Sequence, residues 1–240
     1  KYSNPDGITF SDEVVRRFAA LKPAAKDFRV IWDNAYIVHD LNDTPDKLLN
    51  IFDEAKKCGS EDMFIEVIST SKISFAGGGI SAVIASDANI AEIKKRMSIQ
   101  IISNDKINQL RHARYFKNLD GIKAHMKKQA AILKPKFDAV TDGFEKAFDG
   151  TGIASWKKPN GGYFISLFVM NGCAKRVGQL CKEAGLTLTT VGATYPYGID
   201  PDDSNIRIAP SYPDVDELKK AVELLCICVK LAAAEKLTEE

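Results

Sequence analysis

Met63-Phe64-Ile65-Glu66-Val67-Ile68-Ser69-Thr70-Ser71-Lys72-Ile73-Ser74-Phe75-Ala76-Gly77-Gly78-Gly79 is the stretch on which the fold turns. Its first six residues make a short apolar run, followed by hydroxyl side chains and glycines. That is the composition of a buried strand ending in a loop. The strand delivers Lys72 into a segment of small side chains and bare backbone. Hydroxyls and open amides around one amine suit an anionic, phosphorylated ligand. A lysine that loses its proton in such a place becomes a nucleophile. Standing alone, a loop lysine near glycines is more often a solvated surface residue.

The segments on either side change that weighting. Upstream, Val30-Ile31-Trp32-Asp33-Asn34-Ala35-Tyr36 is a second short apolar run that ends in polar residues. It reads as a buried strand presenting Asp33, and Tyr36 three residues later, at its C-terminal end. Further upstream, Asn4-Pro5-Asp6-Gly7 has the composition of a turn. Near the other end, Asn205-Ile206-Arg207-Ile208-Ala209 sets an arginine inside a strand-like run. Strands seldom bury an arginine without an anion to pair with it. Each residue also has a purely local role open to it. Asp33 could cap its own turn, Tyr36 could be core with a satisfied hydroxyl, and Asn4 could be an ordinary turn former. Ser69 and Ser71 could face solvent, and Arg207 could pair with a carboxylate of Asp200-Pro201-Asp202-Asp203.

In this chain order, the four segments resemble the pyridoxal-phosphate (PLP) aminotransferases of fold type I. Thr70–Gly77, Asp105-Lys106-Ile107-Asn108-Gln109-Leu110-Arg111-His112, Tyr195-Pro196-Tyr197-Gly198 and Ile206–Pro210 look, more narrowly, like the aspartate-aminotransferase branch related to MocR-type proteins. The resemblance runs from Asn4 to Leu231. It implies that Lys72 forms a Schiff base with PLP and moves the proton between substrate and cofactor. It implies that Asp33 pairs with the pyridine nitrogen, and that Tyr36 and Asn4 bond the ring oxygen. Ser69 and Ser71 would bind the phosphate. Arg207, with Asn4 beside the substrate, would hold the α-carboxylate in a bidentate fork that lysine could not reproduce. PLP is the electron sink in such enzymes, and the protein positions and tunes it.

One departure stands out. Related enzymes carry a phosphate-clamping arginine seven or eight residues after the lysine, where this chain has Gly79 and Ile80. The glycine amides, a remote residue or a partner subunit would have to replace it, with Gln109 and Arg111 as candidates from the second motif. The resemblance also implies a homodimer, amino-acid and 2-oxo-acid substrates, and a longer N-terminal portion before Lys1. On that basis the chain looks like the C-terminal part of a longer enzyme. Aspartate or another acidic amino acid is the expected substrate. A fold type I decarboxylase or lyase, or the PLP-sensing domain of a MocR-type regulator, are the alternatives.

Composition constrains the rest. A formal net charge of +1 gives no electrostatic case for nucleic acid or an anionic membrane surface. No apolar stretch approaches the ~20 residues of a membrane span. The five cysteines, Cys58, Cys173, Cys181, Cys226 and Cys228, and the three histidines show no metal-ligand spacing. Reduced thiols in the cytoplasm are the expectation.

Periodicity predicts helices over 11–21, 46–57, 88–97, 103–116, 119–148 (kinked at Pro135), 173–184 and 214–236. It predicts strands over 28–32, 63–68, 81–86, 162–169, 187–191 and 204–209. Strands separated by helices mean an α/β fold. The resemblance makes it an incomplete large-domain sheet over residues 1–118, followed by a small α/β C-terminal domain over 119–240 that is entered by the long helix.

Overall fold

Capping side chains set where the first helices begin. The computed structural model describes residues 1–239. In it the Ser11 hydroxyl accepts from Val14 N and starts helix α1, Asp12–Ala19. The Asn50 side-chain Oδ1 accepts from Phe52 N and Asp53 N and starts α2, Ile51–Cys58. Gly59, at φ 63°, ends α2 in the left-handed conformation. The helix expected over 46–57 is therefore corrected at its front. An asparagine that bonds the N2 and N3 amides holds its own backbone extended, so the helix cannot extend upstream through it.

The chain forms two compact units. The first comprises Lys1, Thr9–Val38 and Asp46–Lys127; the second comprises Tyr2–Ile8, His39–Pro45 and Lys128 onward. In the first unit, strands β1 (Val30–Asp33), β2 (Phe64–Ser69) and β3 (Ser81–Ala85) make one sheet in that order. β1 and β2 are parallel, with Asp33 beside Val67. β2 and β3 are antiparallel, with Ser69 opposite Ser81. Helices α3 (Asp87–Gln100) and α4 (Lys106–Phe116) follow, and α5 (Leu119–Phe148) begins in this unit. Val15, Ala19, Trp32, Ile51, Ala55, Met63 and Phe64 form its core. Within the described residues α3 buries no side chain.

The second unit takes the rest of α5, which continues through Pro135, and adds α6 (Ala174–Glu183) and α7 (Val215–Glu239). Its antiparallel sheet runs β4 (Ala154–Trp156), β5 (Ile165–Val169), β6 (Asn205–Ile208). Strand alternation divides that sheet cleanly. Ile165, Leu167, Ile206 and Ile208 enter the core with Phe144, Phe148, Val177, Val222 and Val229. Ser166, Phe168, Asn205 and Arg207 occupy the alternate positions. The strand expected over 187–191 is absent. Leu186, Leu188 and Val191 do pack on the core, but without a ladder partner. Apolar alternation there reports one-sided burial, which a loop lying on a core satisfies as well as a strand does. β4, three residues long, carries too little periodicity to be read. Among the described residues, no helix is long and apolar enough to cross a membrane.

Candidate active site

The residues singled out above fall into two groups, one on each unit. In the first unit, parallel pairing brings the C-terminal ends of β1 and β2 to the same edge of the sheet. Asp33 closes β1 beside Val67, and two residues beyond Val67 β2 ends at Ser69. Open α/β sheets bind their ligands at this edge, because the loops there are aligned by the strands. Asp33 is exposed, and its Oδ1 accepts from Ala35 N at 3.1 Å. The carboxylate therefore does make the local turn bond. The turn it stabilises carries Tyr36, which is buried. The Lys72 ammonium lies 5.1 Å from the centre of the Tyr36 ring, at cation–π distance. Ser69 and Ser71 exchange a hydroxyl bond of 2.7 Å, and Ser71 N donates to Ser69 Oγ at 3.1 Å. Lysine, phenol, carboxylate and two hydroxyls thus meet at one sheet edge.

The loop from Thr70 to Ile80 that carries Lys72 is closed at its base. Thr70 N donates to Ile80 O at 2.8 Å, and Ile80 N donates to Thr70 Oγ1 at 2.9 Å. Gly79 packs directly on Ser71. A Cβ there would lie 2.6 Å from Ser71 Oγ and 2.8 Å from its Cα and N. No side chain fits at position 79, seven residues after the lysine, without moving Ser71. Arg111 is exposed and lines, with Arg114, Phe75, Tyr115 and His125, a depression of about 630 Å³. Gln109 is also exposed.

On the second unit, Arg207 stands opposite Ser166 across the β5–β6 ladder. Its Nη1 donates to Asn4 Oδ1 at 3.1 Å, and its guanidinium lies 4.7 Å from the Phe164 ring centre. Arg207 Nε is buried and has no hydrogen-bond partner. The acidic cluster Asp200-Pro201-Asp202-Asp203 does not neutralise it. Asp200 instead accepts Ser204 N and Asn205 N on Oδ2, at 2.8 Å each, and Asp202 N on Oδ1 at 3.1 Å. Burial alone would raise the Asp200 pKa, but these N–H groups, led by that of Asn205, hold it below its usual value. Asp203 Oδ1 accepts from Lys175 N at the start of α6. Asn4 sits in the turn expected of Asn4-Pro5-Asp6-Gly7, closed by Gly7 N donating to Ser3 O at 2.7 Å.

The model of the aspartate aminotransferase family matches residues 1–240, the whole chain. The chain belongs to the aspartate aminotransferase family. An aspartate aminotransferase of Corynebacterium glutamicum is 44% identical over 234 residues, covering 98% of this chain and 54% of that protein. A solved aspartate transaminase structure from Corynebacterium glutamicum superposes with a TM-score of 0.95 at 44% identity, over 98% of this chain and 55% of that one. The multiple substrate aminotransferase of Thermococcus profundus shares the fold at a TM-score of 0.79 and 19% identity, over 98% and 56% of the two chains. The chain therefore spans about half the length of the relatives it matches.

Within this aminotransferase family chain, the residues missed from sequence are those that hold the lysine loop from behind. Asn108 and His112 lie one helical turn apart on α4, and both reach the loop. Sequence shows them only as an i, i+4 pair of polar side chains on one helix face, a pattern a solvated face shares. Gln109 and Arg111, the residues considered there, lie off that face and are exposed.

Proposed function

We propose that this chain serves in a PLP-dependent aminotransferase, with Lys72 holding the cofactor as a Schiff base. Convergence of Lys72, Tyr36, Asp33, Ser69 and Ser71 at the C-terminal edge of β1 and β2 carries the reading. The donor set fits PLP: an amine for the aldehyde, hydroxyls for the phosphate, a carboxylate for the pyridine nitrogen and a phenol for the ring oxygen. When bound, PLP supplies the electron sink for chemistry at the substrate α-carbon. Asp33 holds a proton at the ring nitrogen, and its bond to Ala35 N orients it for that. Tyr36, stiffened by burial, would donate a hydrogen bond from its hydroxyl to the ring oxygen. The Lys72 amine takes up and returns the substrate proton.

Arg207 reads the α-carboxylate. Its buried Nε and its freedom from any acidic partner among the described residues are what an anion receptor requires. Asn4 fixes one face of the guanidinium by accepting from Nη1. The substrate we propose is aspartate or another acidic amino acid, with a 2-oxo acid as acceptor, on the strength of the 44% identical relative named aspartate aminotransferase. Residues 1–118 belong, in this reading, to the large cofactor domain and 119–240 to the small domain. The enzyme acts as a cytoplasmic homodimer, and five cysteines outside any disulfide suit a reducing compartment.

The test is borohydride reduction of the PLP-loaded full-length protein, followed by peptide mapping. The label should sit on Lys72, with loss of the visible cofactor band. A label on another lysine refutes the assignment.

A further inference from the structure

We infer that Asn108 and His112 are positioning residues for the cofactor lysine, acting through the loop that carries it. The inference rests on the proposal that Lys72 is that lysine. Lys72 itself is exposed, on a single turn in which Ile73 N and Ser74 N both donate to Thr70 O at 2.9 Å. A turn this short does not fix a long side chain's origin unless something holds the turn. α4 holds it at both legs. On the leg before and after the lysine, His112 Nε2 lies 2.9 Å from both Thr70 Oγ1 and Ser74 Oγ, which flank Lys72 two residues on either side. On the glycine leg, Asn108 Nδ2 donates to Gly78 O at 2.8 Å and reaches Gly79 O at 3.4 Å. α5 adds a third point, His125 Nε2 at 2.8 Å from Ile73 O.

The proton inventory makes the His112 contact robust. Its Nδ1 lies 2.9 Å from Asn108 O, a carbonyl that can only accept, so Nδ1 carries the hydrogen. Nε2 then accepts from one hydroxyl in the neutral ring. The other hydroxyl keeps its own bond within the loop, Ser74 Oγ to Thr70 O or Thr70 Oγ1 to Ile80 O. The surroundings do not call for a histidine otherwise. It is buried against Phe116, whose ring centre is 5.9 Å away, beside the apolar cluster of Ile73, Phe116 and Met126. A leucine would satisfy that packing. Asn108 likewise leaves its Oδ1 buried and unbonded while its Nδ2 bonds the loop.

The trans peptide between Gly78 and Gly79 adds a consequence. With Gly78 O turned toward α4, the Gly79 N–H points away from α4. Asn108 therefore sets the direction of one glycine amide in the stretch where the family resemblance leads one to expect an arginine.

The experiment uses the full-length protein and its His112→Leu, His112→Gln and Asn108→Ala variants. Three quantities are read: the rate of borohydride trapping of PLP on Lys72, the pH midpoint of the visible cofactor band, and the melting temperature without cofactor. His112→Leu and Asn108→Ala should slow trapping by about tenfold to a hundredfold, the cost of a misplaced reacting group. Both should shift the pH midpoint. His112→Gln, which keeps a polar atom near the Nε2 position, should recover trapping to within about threefold of the unmutated rate, one modest hydrogen bond's worth. Unchanged trapping and midpoint in both His112→Leu and Asn108→Ala overturn the inference. So does a loss in all three variants that merely tracks melting temperature. If His112→Leu does not fold, His112→Gln and Asn108→Ala decide alone. If the unmutated protein is labelled on a lysine other than Lys72, the underlying functional reading fails instead.

Discussion

Arg207 shows how much one side chain can say. An arginine between Ile206 and Ile208 alternates out of the core on β6, so the strand costs nothing to accommodate it. What is unusual is the burial of its Nε without a partner. A guanidinium left so is costly unless an anion arrives, since buried donors lose their bonds to water. Arg207→Lys should raise KM for the amino-acid substrate by about 10- to 100-fold, the value of one bond to a charged partner, while leaving PLP loading unchanged. Cofactor loss with an unaltered KM in the loaded fraction would make Arg207 a phosphate or structural residue. Asp33 and Arg207 were conspicuous in the sequence because each interrupts an apolar strand pattern, and Lys72 because an apolar strand leads into its glycine-rich loop. Asn108 and His112 were not. Their partners lie some thirty to forty residues away in a loop, and nothing local distinguishes an inward polar pair on a helix from a wet one.

Helices and loops were legible where caps and periodicity act locally, and misread where burial is imposed from outside. The 187–191 loop looked like a strand because Leu186, Leu188 and Val191 lie on a core they do not extend. The loop before β6 is held differently, by Asp200 collecting backbone N–H groups. Its carboxyl is held below the ordinary 3.8, so the stabilisation is complete above that value and lost as pH falls through the lower folded one. Asp200→Asn puts a donor where an acceptor is needed and should cost about 1–3 kcal/mol near neutrality. The gap to the unmutated protein should begin to narrow as pH falls below about 4, the ordinary carboxyl value, and close only once the lower folded value is passed. A gap that does not change across that range would show that the loop does not depend on the charge. Helix packing offers a second case. In α5, Gly143 lies against α7, where an added Cβ would stand 2.5 Å from Val222 Cγ1. Alanine is the better helix former by about 1 kcal/mol. The overlap with a stiff β-branched side chain costs about 1–3 kcal/mol. Gly143→Ala should therefore be neutral to destabilising in chemical denaturation, and a clear gain would mean α7 yields easily.

At the scale of the whole molecule, the charge on a cofactor phosphate has to be balanced. Bound PLP would carry close to two negative charges on a phosphate group, and burying them without a cation is costly. Ser69 and Ser71 offer hydroxyls, and the glycine amides offer partial positive charge, but neither supplies a full one. At position 79 an arginine would have to displace Ser71, which an added Cβ would meet at 2.6–2.8 Å, and position 80 is isoleucine. No arginine follows Lys72 before Arg96. The family resemblance implies a homodimer, and this shortage would give such a dimer a chemical reason if a cation from the second subunit completed the phosphate site. PLP affinity should then depend on protein concentration. Sedimentation of the full-length protein should show a dimer that tightens when PLP is added, because a ligand that bridges subunits stabilises their association by mass action. On dilution below the dimer dissociation constant, the visible cofactor band and the activity should fall together. A monomer that keeps both would place the balancing cation within one chain and remove the reason offered here for the dimer.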